Sequence, residues 1–221
     1  MDKAPKMKTK EKIQLMAIKL FNESGIQTIT SRHIAGEMGI SHGNLDYHYK
    51  NKEELLLAIY EKMRSDLSDN YSIRKENTSP LEHLHLLLLR LEKFQYQYRF
   101  FNLDVLEISR SYPQVNTLLQ QTFELRKKQM ETLLDEFMAE GYLIPTEPGS
   151  MEQIQHIIRI IITFWVSKQE VLTTYKFNEK GQMTRSIWTI IKPYLNDRGK
   201  EEQANIIDKY GYAHKESTNE E

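Results

Sequence analysis

The chain has 221 residues, no cysteine, and a formal charge of −1 from 30 basic and 31 acidic residues. That length suits one large domain or two modest ones, and the missing cysteine excludes disulfides, thiolate nucleophiles and Cys-based zinc sites. No apolar run approaches the roughly 20 residues of a membrane span, and no apolar stretch follows the N-terminal lysines, so a soluble, cytoplasmic protein without a secretory signal is expected.

The charge is unevenly placed. Residues 1–52 carry nine Lys or Arg against five acids, a local +4 that leaves −5 on the remainder. A basic head on an acidic body points to a polyanion as the head's partner.

Ile13, Met16, Ala17, Leu20 and Phe21 repeat with helical spacing and predict a first helix over about 9–23. Thr30 caps a short helix, 31–38, which Gly39 stops; Ser41 caps a third helix two residues later. A fourth runs from about Lys52 to Asp69. After a polar linker, Pro80 opens a leucine-rich helix over 80–98. Tyr112-Pro113 separates a helix at about 101–110 from a long one at about 114–140, closed by Gly141. Pro145 to Ser150 reads as a loop. Helices near 151–174 and 179–196 follow, then a short polar helix and a polar tail. No alternating run flanked by hairpin turns appears, so no sheet is expected.

The segment TSRHIAGEMGISHGNLDYHYKNK, from Thr30 to Lys52, carries the function. Two short capped helices joined by a tight turn at Gly39-Ile40 form a helix-turn-helix, with Ile34, Ala35, Met38, Ile40 and Leu45 as its internal apolar residues. The second helix can then enter a major groove N-terminus first. With Leu45 buried, Gly43 and Tyr47 point outward and Asn44 and Asp46 flank them. Gly43 lets the backbone approach base edges, Asn44 has the bidentate amide that suits adenine, and His42 can reach a base or a phosphate.

This segment resembles the TetR family of bacterial regulators. Phe21, Gly25, Thr30, Ile34, Ala35, Gly39, Ser41, Gly43, Leu45, Tyr47, His48, Tyr49 and Lys52 stand where that family's pattern has its counterparts, and the likeness is strong over about 8–60. The resemblance implies phosphate contacts at Thr30, Tyr47, His48 and Lys52, and base reading at His42, Gly43 and Asn44. Lys52 adds a physical argument: an ammonium in a helix's first turn is badly placed for the helix dipole, which a phosphate partner would explain. Asp46 departs from the family, which usually has Tyr there. Either it accepts from a cytosine amino group or the helix tilts to avoid it.

The remaining two-thirds is expected to hold an effector cavity and a dimer seam. In the helix near 151–174, Ile154, Ile158, Ile161 and Trp165 form one stripe and Ile157, Ile160 and Phe164 another. A helix apolar on two sides must bury both. Met183, Ile187, Ile190 and Tyr194 repeat as a bundle seam does. Ile158, Ile161, Trp165, Ile187 and Ile190 are therefore the interface candidates, in a four-helix seam that the resemblance also implies; a thicker monomeric core is the alternative. Phe94, Tyr98, Phe101, Phe123, His156 and Phe164 are the effector-binding candidates. His83 and His85 do not share a helix face and are discounted as metal ligands.

The fold class expected is all-α: a three-helix helix-turn-helix domain over 1–52, a larger helical effector-binding and dimerisation domain over 53–211, and a polar tail over 212–221. The function expected is that of a homodimeric regulator of transcription, a repressor released from a roughly palindromic double-stranded operator by a small molecule, with no cofactor and no metal. A small all-α enzyme is the rival from another class, but no Walker loop, His-Glu-x-x-His or Gly-x-Ser-x-Gly is present. A regulator that has lost DNA binding is the third reading, kept open by Asp46.

Overall fold

The computed structural model describes residues 8–71, 74–144, 147–174 and 179–213. Its described residues are helical, in the order α1 (Thr9–Ser24), α2 (Ser31–Glu37), α3 (His42–His48), α4 (Lys52–Tyr71), α5 (Pro80–Gln97), α6 (Arg99–Leu103), α7 (Val105–Ser111), α8 (Pro113–Ala139), α9 (Ser150–Val171), α10 (Gln182–Ile191) and α11 (Asp197–Tyr210), with a 3-10 turn at Lys192–Tyr194. By compactness the chain forms two units, Met1–Asp66 with Tyr98–Thr122, and Leu67–Gln97 with Phe123–Glu221.

In the first unit, α1 buries Ile13, Ala17, Ile18 and Phe21, whereas Met16 and Leu20 of the predicted stripe are only half-buried. The helix expected at about 101–110 is two helices kinked at Asp104. The Asp104 N–H donates to the Phe100 carbonyl and the Ile108 N–H to that of Asp104, both at 2.8 Å, so the backbone bonding runs across the kink. At this kink the Asp104 carboxylate accepts from the Ile26 N–H at 2.8 Å. Beside it, the Phe100 N–H donates to the Asn22 Oδ1 at 3.0 Å, and the Arg99 guanidinium donates to the Asn22 carbonyl. Phe21 and Phe100 pack with ring centroids 5.3 Å apart. The end of α1, which precedes the helix-turn-helix, is thereby fastened to α6 and α7.

The second unit is built around α5, whose Leu81, Leu84, Leu88 and Leu91 meet Phe137 of α8, Trp165 of α9 and Trp188 of α10 in one core. The helix expected at 179–196 ends as an α-helix at Ile191, because Pro193 has no N–H to continue the ladder and the chain tightens into a 3-10 turn. The last helix is longer than expected, with Asn196 accepting from the Gly199 N–H at 2.9 Å as its cap and Ile206 buried. Among the described residues there is no strand; one isolated antiparallel bridge pairs Leu143 with Leu195. Of the linker and loop expected around 72–80 and 145–150, residues 72, 73, 145 and 146 lie outside the described residues, as does the tail from 214 onward.

Candidate nucleic-acid interface

The short helices α2 and α3 owe their limits to local chemistry. The Thr30 hydroxyl accepts from the His33 N–H at 3.3 Å, and the His33 Nδ1 accepts from the Thr30 N–H at 3.3 Å, which closes a reciprocal cap. Gly39 takes φ +65°, where an L side chain is strained, and two residues later the Ser41 hydroxyl accepts from the Asn44 N–H at 3.2 Å to start α3. Ile34, Ala35 and Leu45 are buried and lock the pair. Burial of each large side chain contributes about 1.5–3 kcal/mol, so the relative angle of α2 and α3 is fixed by packing.

With Leu45 inward, α3 presents His42, Gly43, Asn44 and Tyr47 to solvent, Tyr47 at 85% exposure. The Tyr47 and His48 rings meet edge-on at 5.3 Å. A Cβ at Gly43 would meet nothing within 4 Å, so among the described residues nothing requires glycine there. Thr30 is exposed at the edge of the same motif, although its hydroxyl is already engaged as a cap. Asp46, the residue that departs from the expected pattern, lies 3.1 Å from the His42 Nδ1 one turn earlier.

Tyr49 turns inward: it is buried, and its hydroxyl accepts from the Gln14 amide at 2.9 Å. Burial pushes its pKa up, opposed by that hydrogen bond. Lys52 also turns inward. Its ammonium donates to the Ile26 carbonyl and sits 5.7 Å from the centre of the Phe21 ring. Burial lowers its pKa, and the nearby Asp104 and Glu107 carboxylates raise it. A backbone carbonyl inside the first unit already receives the ammonium, so the position of Lys52 in the first turn needs no phosphate to explain it. The α4 start is served by Asn51, whose side chain accepts from the Glu54 N–H at 2.8 Å, while Glu54 accepts from the Lys50 N–H at 2.9 Å.

The six effector candidates are divided between the two units. Tyr98 and Phe101 belong to the first unit's core; the Tyr98 hydroxyl donates to Asp66 at 2.9 Å, and Phe101 stacks on Tyr60 at 4.9 Å. Phe94, Phe123, His156 and Phe164 lie in the second unit, where His156 and Phe164 are exposed. A cavity of about 210 Å³ in that unit is lined instead by Leu89, Glu92, Lys93, Tyr96, Lys180, Gly181 and Ala213. The Glu92 carboxylate there accepts from the Gly181 N–H at 2.9 Å, and burial pushes its pKa up.

The interface candidates lie on the inward-facing sides of α9 and α10. Ile158, Trp165 and Ile187 are buried in the second unit's own core, and Ile161 and Ile190 pack against it. The stripe left exposed on α9 is Ile157, Ile160 and Phe164, at 44%, 46% and 46%. Periodicity marks both stripes as apolar without saying which the protomer keeps.

The Asn22–Arg99 and Ile26–Asp104 contacts join residues 77 and 78 positions apart and carry no local signal in the sequence. The His42–Asp46 pair had one, the i,i+4 spacing on a single helix face.

A TetR profile described as bacterial transcriptional repressor matches residues 62–202, and one described as bacterial regulatory proteins, tetR family, matches 16–59. The chain belongs to the TetR family of bacterial transcriptional regulators. Proteins of this family are regulators of transcription and not enzymes. Over 80 residues it is 28% identical to the HTH-type transcriptional regulator SAB2452 of Staphylococcus aureus strain bovine RF122, which is 31% of this chain and 43% of that protein. The chain thus spans less than half the length of such curated relatives. A TetR-family regulator from Marinobacter aquaeolei VT8 has the same fold at TM-score 0.82 and 24% identity, covering 94% of this chain and all of that one. The ketosteroid regulator KstR2 of Mycobacterium tuberculosis superposes at TM-score 0.67 and 18% identity, over 86% and 96% of the two chains. SmeT, solved in complex with triclosan, does so at 0.63 and 18%, over 86% and 92%. Among the described residues no helix is long and apolar enough to cross a membrane, and no group of three His, Asp or Glu is arranged to hold a metal.

Proposed function

We propose that this TetR-family chain is a homodimeric repressor that binds a roughly palindromic operator through α3 and is released by a small molecule. The observation that carries the reading is the exposed surface of α3, where Gly43 has open space above it and Asn44 and Tyr47 are exposed while Leu45 is buried. Asn44 would read adenine, His42 a second base, and Tyr47, His48 and Thr30 the backbone. Lys52 is a weaker phosphate candidate than its neighbours, being turned toward Ile26.

The dimer seam is proposed on α9 and α10, with Ile157, Ile160 and Phe164 as the stripe that a partner would cover. The division at residue 52 is one of role, DNA-facing residues before it and effector-binding and dimerising residues over 53–211. Effector release would act as a population shift between two separations of the recognition helices, driven by unequal ligand affinity for them. That SmeT was solved with triclosan supports a small-molecule effector here; the cavity beside Glu92 is a candidate entry for one. Bacterial transcription takes place in the cytoplasm, which is where a protein of this family would act.

Selection of bound sequences from a random DNA pool tests the reading. Enrichment of a two-fold symmetric site is expected. Enrichment of nothing would leave a regulator that no longer binds DNA.

A further inference from the structure

We propose that Asp46 is a positioning residue for His42, and that the pair sets one base preference of α3; this rests on the DNA-binding reading above. A carboxylate on a helix that faces DNA is repelled by every phosphate, so Asp46 needs a reason to be there. The His42 Nδ1 lies 3.1 Å from the Asp46 Oδ2, one turn along α3, and both side chains are about two-fifths exposed. A carboxylate oxygen accepts, so the contact suits those ring forms that carry a proton on Nδ1. At that distance the contact favours the Nδ1-protonated tautomer and restricts the rotation of the ring.

One polar atom of His42 then remains, Nε2, and among the described residues nothing is bonded to it. The Ser41 hydroxyl caps α3 through the Asn44 N–H, so the imidazole is not drawn into capping. Gly43 beside it leaves open space. A singly protonated ring offers Nε2 as an acceptor for the amino group of adenine or cytosine; a doubly protonated one offers a donor to guanine. The enriched base reports which form is bound. Without Asp46 the ring alternates between tautomers and orientations, and a single preference is lost.

The test is random-pool selection with binding curves for wild type, His42→Ala, Asp46→Ala, Asp46→Asn and the double alanine variant. His42→Ala and Asp46→Ala are expected to relax the same operator position, each roughly 2- to 10-fold, the range of one hydrogen bond. The double variant should be no worse than His42→Ala alone. Asp46→Asn, whose Oδ1 can face Nδ1–H in the same place, should keep the preference. Relaxation at a different position in Asp46→Ala would mean that Asp46 reads its own base and would overturn the proposal. So would uniformly tighter binding with an unchanged operator, or additive losses in the double variant. If wild type itself enriches no sequence, the DNA-binding reading fails and the proposal falls with it.

Discussion

Asn44 and Lys52 separate two kinds of contact. Asn44 is exposed on α3 with its side-chain amide free of the cap, which only its backbone N–H serves. Asn44→Ala is expected to lose about 1–3 kcal/mol of discrimination at one base position, read as a relaxed column in the selected sites; an unchanged operator would remove Asn44 from the base-reading set. Lys52 behaves differently because its ammonium is turned to the Ile26 carbonyl. Lys52→Ala strips a buried acceptor of its donor and is expected to cost about 1 kcal/mol of stability. The slope of log K against log salt should stay unchanged. A slope shallower by about one unit would instead assign the ammonium to a phosphate. Sequence could place Lys52 at the first turn of α4 but not choose between a phosphate and a carbonyl 26 residues earlier, because that choice is tertiary.

At the scale of elements, legibility follows range. α2 and α3 are readable because Thr30, Gly39 and Ser41 act on neighbours three residues away or on their own φ. The α6–α7 kink is not, since the carboxylate at Asp104 answers an N–H at Ile26. α5, α10 and α11 meet at another feature that no local pattern announces: the Trp188 indole N–H donates to the His85 Nδ1 at 3.0 Å, with both side chains buried. Burial lowers the His85 pKa, opposed by the Gly211 backbone and by Glu82. The native state therefore binds fewer protons than the unfolded chain there, and stability rises with pH. It is expected to be complete above the ordinary histidine value of about 6.5 and to fall as acid approaches the lowered native value. Protonation would also put a proton on Nδ1 where the indole N–H points. His85→Gln retains an acceptor without a titrating ring, so its urea midpoint should change less than wild type between pH 7.5 and 5.5. Burial also lowers the pKa of His83, which leaves a residual pH dependence in the variant. Equal slopes for the two proteins would show that His85 does not carry the effect.

For the whole molecule, the question raised by the proposed dimer is which apolar surface a second copy would cover. Two stripes on α9 are visible in the sequence, and hydrophobic periodicity alone cannot assign one of them to the inside. The packing does: Ile158 and Trp165 join Ile187 and Trp188 in the second unit's core, and Ile157, Ile160 and Phe164 are left half-exposed on the other side of the helix. Apolar residues exposed singly are ordinary, but three at i, i+3 and i+7 on one helix form a stripe that a partner would bury. Ile160→Glu with Phe164→Glu should give a folded monomer, because each charge would be stranded in a seam and yet is solvated in the free protomer. Ile161→Glu with Ile187→Glu should behave otherwise. Ile187 has no exposed surface, so its glutamate enters the protomer's own core and unfolds it. Sedimentation of both pairs at micromolar concentration, beside helicity measured by circular dichroism, distinguishes the outcomes. A wild type that sediments as a monomer, or an Ile160→Glu/Phe164→Glu protein that still dimerises, would remove the seam from this face of α9.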